Sequence, residues 1–549
     1  MGIMDIKKVI IPLLIAGFVL SSLSPSIYEL SRKDMLQTDR QFELVHNFPT
    51  DYNFYLSRIR EGLEGRITVT EKYTSEPHAG SLIHEMYLFM GRAGRFARVP
   101  YHRAGDVYHV ARIVLAITLL GLIAAFSMKS FAGIGRASAY MTGLTAFVLA
   151  VTASSWPKLV EVGGVWRFGG YMAWWSVMDS LQRITFIPHL LAGQALIVFL
   201  ILAVTSVSVV TNAALIMMLG LSALVLGMIF PPGLLFVYTV MAVYFLLSGR
   251  NRRRLFVPYV IIGMVSAASL FYLMLMTGIY PWKRLAEVDM IRPLPFDYAE
   301  YFRAMGPTLP LGLIGLVVAL MSFETLMFPA VSWVIAWAAL LGIFAFVPQQ
   351  SPLRFSEMIP HVPLGALGMY ALFRLYRIRP FRIVAMLVPC ILIGTGVFHM
   401  YSSYLWQRDF VDHKIRATLP LVPTGSYVMY PLKDFISAMQ FIGEQTKGMG
   451  VVLSETTAGN YIPVVSGNTV YAGHDNTVAF EVKKEKVREF FSGRMNADEA
   501  HRWIQSMGAR YVFFGPQERE DGRVNDLSLS YPFLRQAYKN NRVTVYFSP

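Results

Sequence analysis

The 549 residues are 54% hydrophobic and only 15% charged, where an ordinary soluble protein is nearer a quarter charged, so lipid is the expected solvent for most of the chain. The formal charge of +14 would suit a nucleic-acid partner, but much of the excess sits in short runs between apolar segments, which is the pattern of membrane topology. The single cysteine, Cys390, lies in an apolar stretch and excludes both a disulfide framework and a thiolate metal site.

A helix needs about 20 mostly apolar residues to cross roughly 30 Å of hydrocarbon. Lys7 and Lys8 precede the run Val9 to Leu20, a first span or a signal peptide. No A-x-A-like cleavage site follows, so a retained anchor is expected. The next segment, 25–108, is polar and too long for a simple connection. Further apolar segments lie near 110–128, 137–153, 187–208, 211–229, 232–248, 255–278, 307–322, 328–347, 361–376 and 383–402, which makes about eleven spans. With the N-terminus in the cytoplasm, Lys129 and Arg136, then Arg250, Arg252, Arg253 and Arg254, then Arg374, Arg377, Arg379 and Arg382 all fall on the inner side. The turn Ser322–Leu326 carries Glu324 instead. An odd number of spans sends the C-terminal region outside.

The long polar pieces then collect on the extracytoplasmic face. The stretch Ser154–Phe186 holds Trp156, Trp166, Trp174 and Trp175 around Arg167 and Arg183, which suits one or two helices lying on the membrane surface, or a packed loop. In the tail, Asp434–Gln445, Lys483–Ser492 and Asn496–Met507 are helical in pattern. Gly450–Ser454, Thr469–Tyr471 and the buried-looking Arg510–Phe514 read as strands, and Val543–Phe547 as an edge strand. Strands alternating with helices indicate a small α/β domain with a mainly parallel sheet. There is no G-x-G-x-x-G, P-loop or nucleophile elbow, and no internal repeat. The expected architecture is therefore a polytopic α-helical membrane region, 1–402, containing the loop 25–108, followed by an extracytoplasmic α/β domain, 403–549.

Chemistry concentrates in the first loop, in Asp51-Tyr52-Asn53-Phe54-Tyr55, Ile59-Arg60-Glu61-Gly62 and Tyr73-Thr74-Ser75-Glu76-Pro77-His78. One carboxylate just outside the membrane can deprotonate an acceptor hydroxyl while a sugar leaves a lipid phosphate. The leaving group is already a stabilised anion, so nearby Arg or Lys can do the remaining electrostatic work. In Pro49-Thr50-Asp51 the same aspartate stands where a helix N-cap would be, and one residue can serve both purposes.

On these residues the sequence resembles the GT-C superfamily of polyprenyl-phosphate-sugar-dependent glycosyltransferases. The shared layout is an N-terminal span, a long first outer loop with an early Asp, surface helices, many spans and an outer C-terminal domain. The phrases from Asp51 to Gly62, Lys72 to His78, Arg354-Phe-Ser-Glu357, Val470-Tyr-Ala-Gly-His474 and Tyr511 to Pro516 are similar to uncharacterised bacterial members. The resemblance implies an inverting transferase in a prokaryotic cytoplasmic membrane, acting on the outer face in the cell envelope with Asp51 as base. Its partners would be a polyprenyl-phosphate sugar, membrane lipid and a glycan, lipid or protein acceptor. Many relatives carry two adjacent acids in this loop, whereas Tyr52 follows Asp51 here. A divalent cation such as Mg or Mn is possible, with Glu76 and His78 as ligands only if the loop folds back.

Arg354 could clamp the donor phosphate with Glu357 orienting it, or the two form an interfacial salt bridge. His189, after Pro188, could touch the same phosphate or be a hydrogen-bonded interfacial histidine. Lys283, Arg284 and Arg292 form a basic cluster suited to lipid phosphate or to snorkelling. His474 could face the acceptor, or close a loop of the α/β domain. Two non-enzymatic readings stand beside this one. A transporter or flippase would place polar groups near the bilayer midplane, where these spans are nearly free of charge. An envelope scaffold would bind a partner through its tail.

Overall fold

Each apolar segment read from the sequence becomes a helix. These helices run Ile3–Ser31, Ala104–Ser130, Arg136–Thr152, Pro188–Val204, Ala213–Ile229, Pro231–Leu247, Arg252–Met276, Thr308–Met321, Phe328–Phe344, His361–Tyr376 and Arg382–Arg416. This is a computed structural model, and it describes residues 3–206, 208–291, 293–347, 351–423 and 428–549. Five helical segments are long and apolar enough to cross a membrane, and a sixth if the pair Tyr298–Ala304 and Thr308–Met321, bent by 87°, counts as one. Several others are 17 residues long, about 25 Å at 1.5 Å per residue, and fall just short of the roughly 30 Å of a bilayer core.

By internal contact the chain forms two units. The first comprises Met1–Pro25, Ala111–Tyr272 and Arg292–Gln407. Its helices pack through small residues, which let backbones approach where lipid gives no hydrophobic incentive to associate. Helix Thr308–Met321 lies against His361–Tyr376 so closely that a Cβ on Gly315 would stand 1.9 Å from the Leu367 carbonyl oxygen. The stretch Ser154–Phe186, read as one or two surface helices or a packed loop, forms no α-helix. Strands β1 (Lys158–Val162) and β2 (Val165–Gly169) pair antiparallel, and two 3-10 turns, Ser176–Met178 and Gln182–Thr185, follow. The cause is legible: Gly163 and Gly164 adopt φ of +58° and +78°, as a two-residue hairpin turn requires, between runs of β-branched and aromatic residues.

The second unit comprises Ser26–Val110, Leu273–Ile291 and Arg408–Pro549, so the first loop and the tail share one body. Its sheet has the order β4-β3-β5-β7-β6, with β3 Val451–Leu453, β4 Thr469–Val470, β5 Ala509–Phe514, β6 Arg535–Lys539 and β7 Thr544–Phe547. Strands β4, β3 and β5 are parallel, while β7 runs antiparallel to both β5 and β6. The sheet is therefore mixed, and Val543–Phe547 is not its edge. That place belongs to β6, whose mostly exposed residues give no alternating apolar signal. Helix Thr456–Val465, which the sequence did not announce, carries Gly459 and Pro463 in its interior. Arg60 donates to the carbonyls of Val464 and Val465 at its C-terminal end, where helix carbonyls lack partners, and Lys72 donates to Gly467 beyond it.

Candidate active site

Asp51 lies in the first turn of the loop helix Pro49–Leu63. The N-cap is Phe48 and Pro49 occupies the first helical position, so Asp51 is the third residue of the helix and not its cap. Proline is preorganised for that first position and gives up no useful donor there. Asp51, Phe54 and Arg58 follow one another at i, i+3 and i+7 and share a face. The adjoining face, through Asn53, joins helix Thr456–Val465: Asn53 donates to the Asn460 side chain at 2.8 Å, and Asn460 donates to the Thr50 carbonyl at 3.1 Å.

Beside Asp51 the structure places His474, with Nε2 3.4 Å from Asp51 Oδ1. The histidine stands in the loop after β4, at the carboxyl end of a parallel strand, the edge at which open α/β sheets usually present ligands. Its ring stacks on Phe54 at 4.6 Å and is almost wholly buried, whereas the Asp51 side chain is 46% exposed. The Asn476 backbone N–H donates to His474 Nδ1 at 3.2 Å. With Nδ1 accepting, the neutral ring carries its proton on Nε2, the atom that faces Asp51 across 3.4 Å without completing a hydrogen bond. Thr477 locks this loop: its hydroxyl donates to the Tyr73 carbonyl at 2.6 Å and receives the Gly473 and His474 N–H groups.

Glu76 and His78 lie in the same unit and are drawn into its interior bonding. Lys483 Nζ sits 2.6 Å from Glu76 Oε1, and the Thr74 hydroxyl donates to Oε2. Burial pushes the Glu76 carboxyl up, but the hydrogen bonds from Lys483 and Thr74 and the lysine charge outweigh it and hold the group below its ordinary value. His78 accepts the Glu71 N–H at 2.9 Å on Nε2 and donates from Nδ1 to the Glu76 carbonyl at 2.7 Å, so both ring nitrogens are engaged. Lys283 pairs with Glu287 at 3.7 Å and stands over the Tyr280 ring, while Arg284 donates to the Asp475 carbonyl at 3.0 Å beside His474.

The other candidates belong to the helical unit. Arg354 Nη1 lies 3.8 Å from Oε1 of the fully buried Glu357, and the Gln194 side chain donates to the Glu357 carbonyl at 2.9 Å. His189 is half-buried in the first turn of helix Pro188–Val204. Arg292 lies outside the described residues. The same unit contains a small pocket lined mainly by apolar residues with Arg183, His361 and Gln194 as polar members. Arg183 donates to the Val151 carbonyl at 2.7 Å and to His361 Nε2 at 3.2 Å. Periodicity gave no hint that His361 would meet Arg183, 178 positions away.

Among the described residues no three of His, Cys, Asp and Glu gather around a common point. At Asp51 the neighbouring histidine presents a donor, not a lone pair. A divalent cation is possible there with Asp51 as protein ligand and the remaining positions filled by phosphate oxygens and water, an arrangement usual for Mg²⁺.

Comparison with known proteins found no matching protein-family model and no matching curated sequence. Among solved structures, the chain is similar to an oligosaccharyltransferase from Archaeoglobus fulgidus tethered to an acceptor peptide containing the NVT sequon. Identity is 11%, with 96% of this chain and 74% of that one covered and a TM-score of 0.50. The likeness is one of fold. Also similar is ArnT from Cupriavidus metallidurans bound to undecaprenyl phosphate, at 11% identity, 97% coverage of both chains and a TM-score of 0.49. Another structure of the archaeal enzyme, in complex with Zn and sulfate, matches at 12% identity over 96% of this chain and 73% of that one, with a TM-score of 0.49.

Proposed function

We propose that this GT-C-fold protein is an inverting glycosyltransferase of a prokaryotic cytoplasmic membrane. In this reading about eleven apolar helices cross the bilayer, the shorter ones where lipid thins around them, and the first loop and tail stand on the extracytoplasmic side. The observation that carries the reading is the half-exposed Asp51 carboxylate, in the first turn of a helix with the His474 ring 3.4 Å away. In this reading the donor is a sugar on a polyprenyl phosphate. The acceptor hydroxyl gives its proton to Asp51 as its oxygen forms the new bond to the anomeric carbon. The bond from that carbon to the phosphate oxygen breaks on the opposite face, and polyprenyl phosphate leaves as an anion. His474 stands beside one carboxylate oxygen, 3.4 Å away, and leaves the other to face the acceptor.

Arg354, Arg292, Lys283 and His189 are the groups proposed for the donor phosphate. Glu76, His78 and Glu357 then act by shaping the site, as their internal bonds suggest. The test uses protein purified in detergent and a panel of radiolabelled polyprenyl-phosphate monosaccharides, comparing wild type with Asp51→Asn and Arg354→Ala. One donor should bind selectively, and Asp51→Asn should lower turnover by about 10²- to 10⁴-fold, the usual contribution of a general base. Full sugar transfer by a folded Asp51→Asn variant sinks the base assignment, and no binding of any donor by folded protein favours transport or scaffolding.

A further inference from the structure

Helix Thr456–Val465 carries Gly459 and Asn460 side by side at its middle, where both residue types are poor helix formers. Local helix stability does not call for the pair, so its reason lies in what the two residues touch. Asn460 is 3% exposed. Its amide donates to the Thr50 carbonyl at 3.1 Å and accepts from the Asn53 side chain at 2.8 Å. It therefore grips the chain on both sides of Asp51. Gly459 meets the other half of the site. A Cβ there would stand 2.1 Å from the Ala472 carbonyl oxygen and 3.0 Å from the Gly473 Cα, so the helix lies directly on the backbone that leads into His474.

A second line of bonds runs from the same asparagine to the histidine. Tyr73, fully buried, donates its hydroxyl to the Asn460 carbonyl at 3.1 Å. The Tyr73 carbonyl accepts from the Thr477 hydroxyl at 2.6 Å, and that hydroxyl takes the His474 N–H at 3.4 Å. One path from Asn460 thus ends on the turn of Asp51 and the other on the backbone of His474, all within the loop-and-tail unit. The contact between Asp51 and His474 spans 3.4 Å and is half open to water, too weak to set its own geometry. Its geometry is set by the buried bonds around it.

We propose that Asn460 is a positioning residue for Asp51: it ties the first turn of Pro49–Leu63 to the turn that presents His474, and so fixes where the carboxylate stands. The inference rests on reading Asp51 as the base, since a base must lie within hydrogen-bond reach of the proton it takes. Misplacing such a group by about 1 Å costs up to about 10²-fold in rate. Asn460→Ala should therefore lower kcat for sugar transfer by up to about 10²-fold. KM for the donor should change little, because no group that Asn460 bonds is assigned to the donor phosphate.

The geometric part is tested without any substrate. Diethyl pyrocarbonate modifies accessible histidine nitrogens, and the full-length protein in detergent is treated with it at neutral pH and read peptide by peptide by mass spectrometry. In the wild type, His474 should react slowly, its side chain 9% exposed beneath Phe54 and beside Asp51. In Asn460→Ala it should react several-fold faster. His78, engaged through both ring nitrogens in the same unit, and the exposed His102 should keep their wild-type rates. Tyr73→Phe removes only the hydroxyl bonded to Asn460, should give the same change in smaller measure, and carries the test if Asn460→Ala does not fold. Unchanged His474 rates in the folded variants overturn the proposal. Faster modification of His78 as well overturns it in favour of general support of the fold, and so does an unchanged kcat once His474 is released. If the wild type transfers no sugar while His474 is still released in Asn460→Ala, the transferase reading fails and the tie from Asn460 to the Asp51–His474 contact is upheld.

Discussion

In the helical unit, Ser130, Thr152 and Thr205 each donate to a carbonyl four residues back in their own helix, the oxygens of Phe126, Val148 and Ile201. In the loop-and-tail unit several buried polar partners come from opposite ends of the chain: Asn53 and Asn460, Lys72 and Gly467, Glu29 and Lys414 are separated by 407, 395 and 385 positions, further than Arg183 and His361, 178 apart, in the helical unit. The contrast follows from the two solvents. A helix in lipid satisfies its backbone internally and can absorb a hydroxyl in the same ladder. A loop that must fold against a tail has no such ladder, so its buried groups find distant partners or remain costly. The helical unit should therefore tolerate loss of a buried polar atom that the loop-and-tail unit cannot.

Arg58 is the strongest point at which to break the contrast. Its guanidinium is fully buried, 2.7 Å from Glu71, with Glu61 as a further counter-charge. Burial alone would lower its pKa, but the two carboxylates outweigh that and raise it. Arg58→Leu leaves Glu71 and Glu61 buried without their cation. It should cost about 3–5 kcal/mol in thermal or denaturant unfolding of the detergent-solubilised protein.

A second test uses the buried pair Glu455 and Glu518. Burial first, then the neighbouring Glu518, pushes the Glu455 carboxyl up to about 8, and burial raises Glu518 to about 7. Glu518 accepts the backbone N–H groups of Glu455 and Gly515, both at 2.9 Å, whereas Glu455 Oε1 has no hydrogen-bond partner, so Glu455 is the better proton holder. The folded state keeps a proton that the unfolded chain releases near 4.5, so it binds more protons between those values. Stability should fall as pH rises from about 4.5 to about 8, by about 1.4 kcal/mol per pH unit for one proton. Glu455→Gln should flatten that slope in unfolding curves recorded across the window.

His474→Asn sharpens the site itself. It removes the Nε2 contact with Asp51 and the ring stacked on Phe54 while leaving the carboxylate. Loss of a positioning charge contact worth about 1 kcal/mol at most predicts up to roughly fivefold lower kcat, with KM for the donor little changed. The smallest effect belongs to Ser332, in helix Phe328–Phe344 of the helical unit, whose buried hydroxyl has no hydrogen-bond partner. Ser332→Ala should leave stability within about 0.5 kcal/mol of wild type or above it. A large loss would mean that the two units do not differ as argued.

The apolar helices were legible in the sequence because membrane solubility is a local property: a crossing helix carries its apolar residues in one continuous run. Much of the tail pattern was legible for a similar reason, since Asp434–Gln445 and Arg510–Phe514 carry their periodicity and buried character in consecutive residues. The hairpin β1–β2 was written in Gly163-Gly164 and obscured by the surrounding tryptophans. Asp51 and His474 were each visible as candidates, one in a loop and one after a strand. Their meeting, the tautomer set by the Asn476 amide, and the bonding of Asn53 to Asn460 were not, because a contact between residues some four hundred positions apart leaves no trace in local composition. The sequence by itself determined which segments could live in lipid. Only the tertiary structure decided which polar residues outside those segments face one another, since that depends on how the loop and tail close around a shared core.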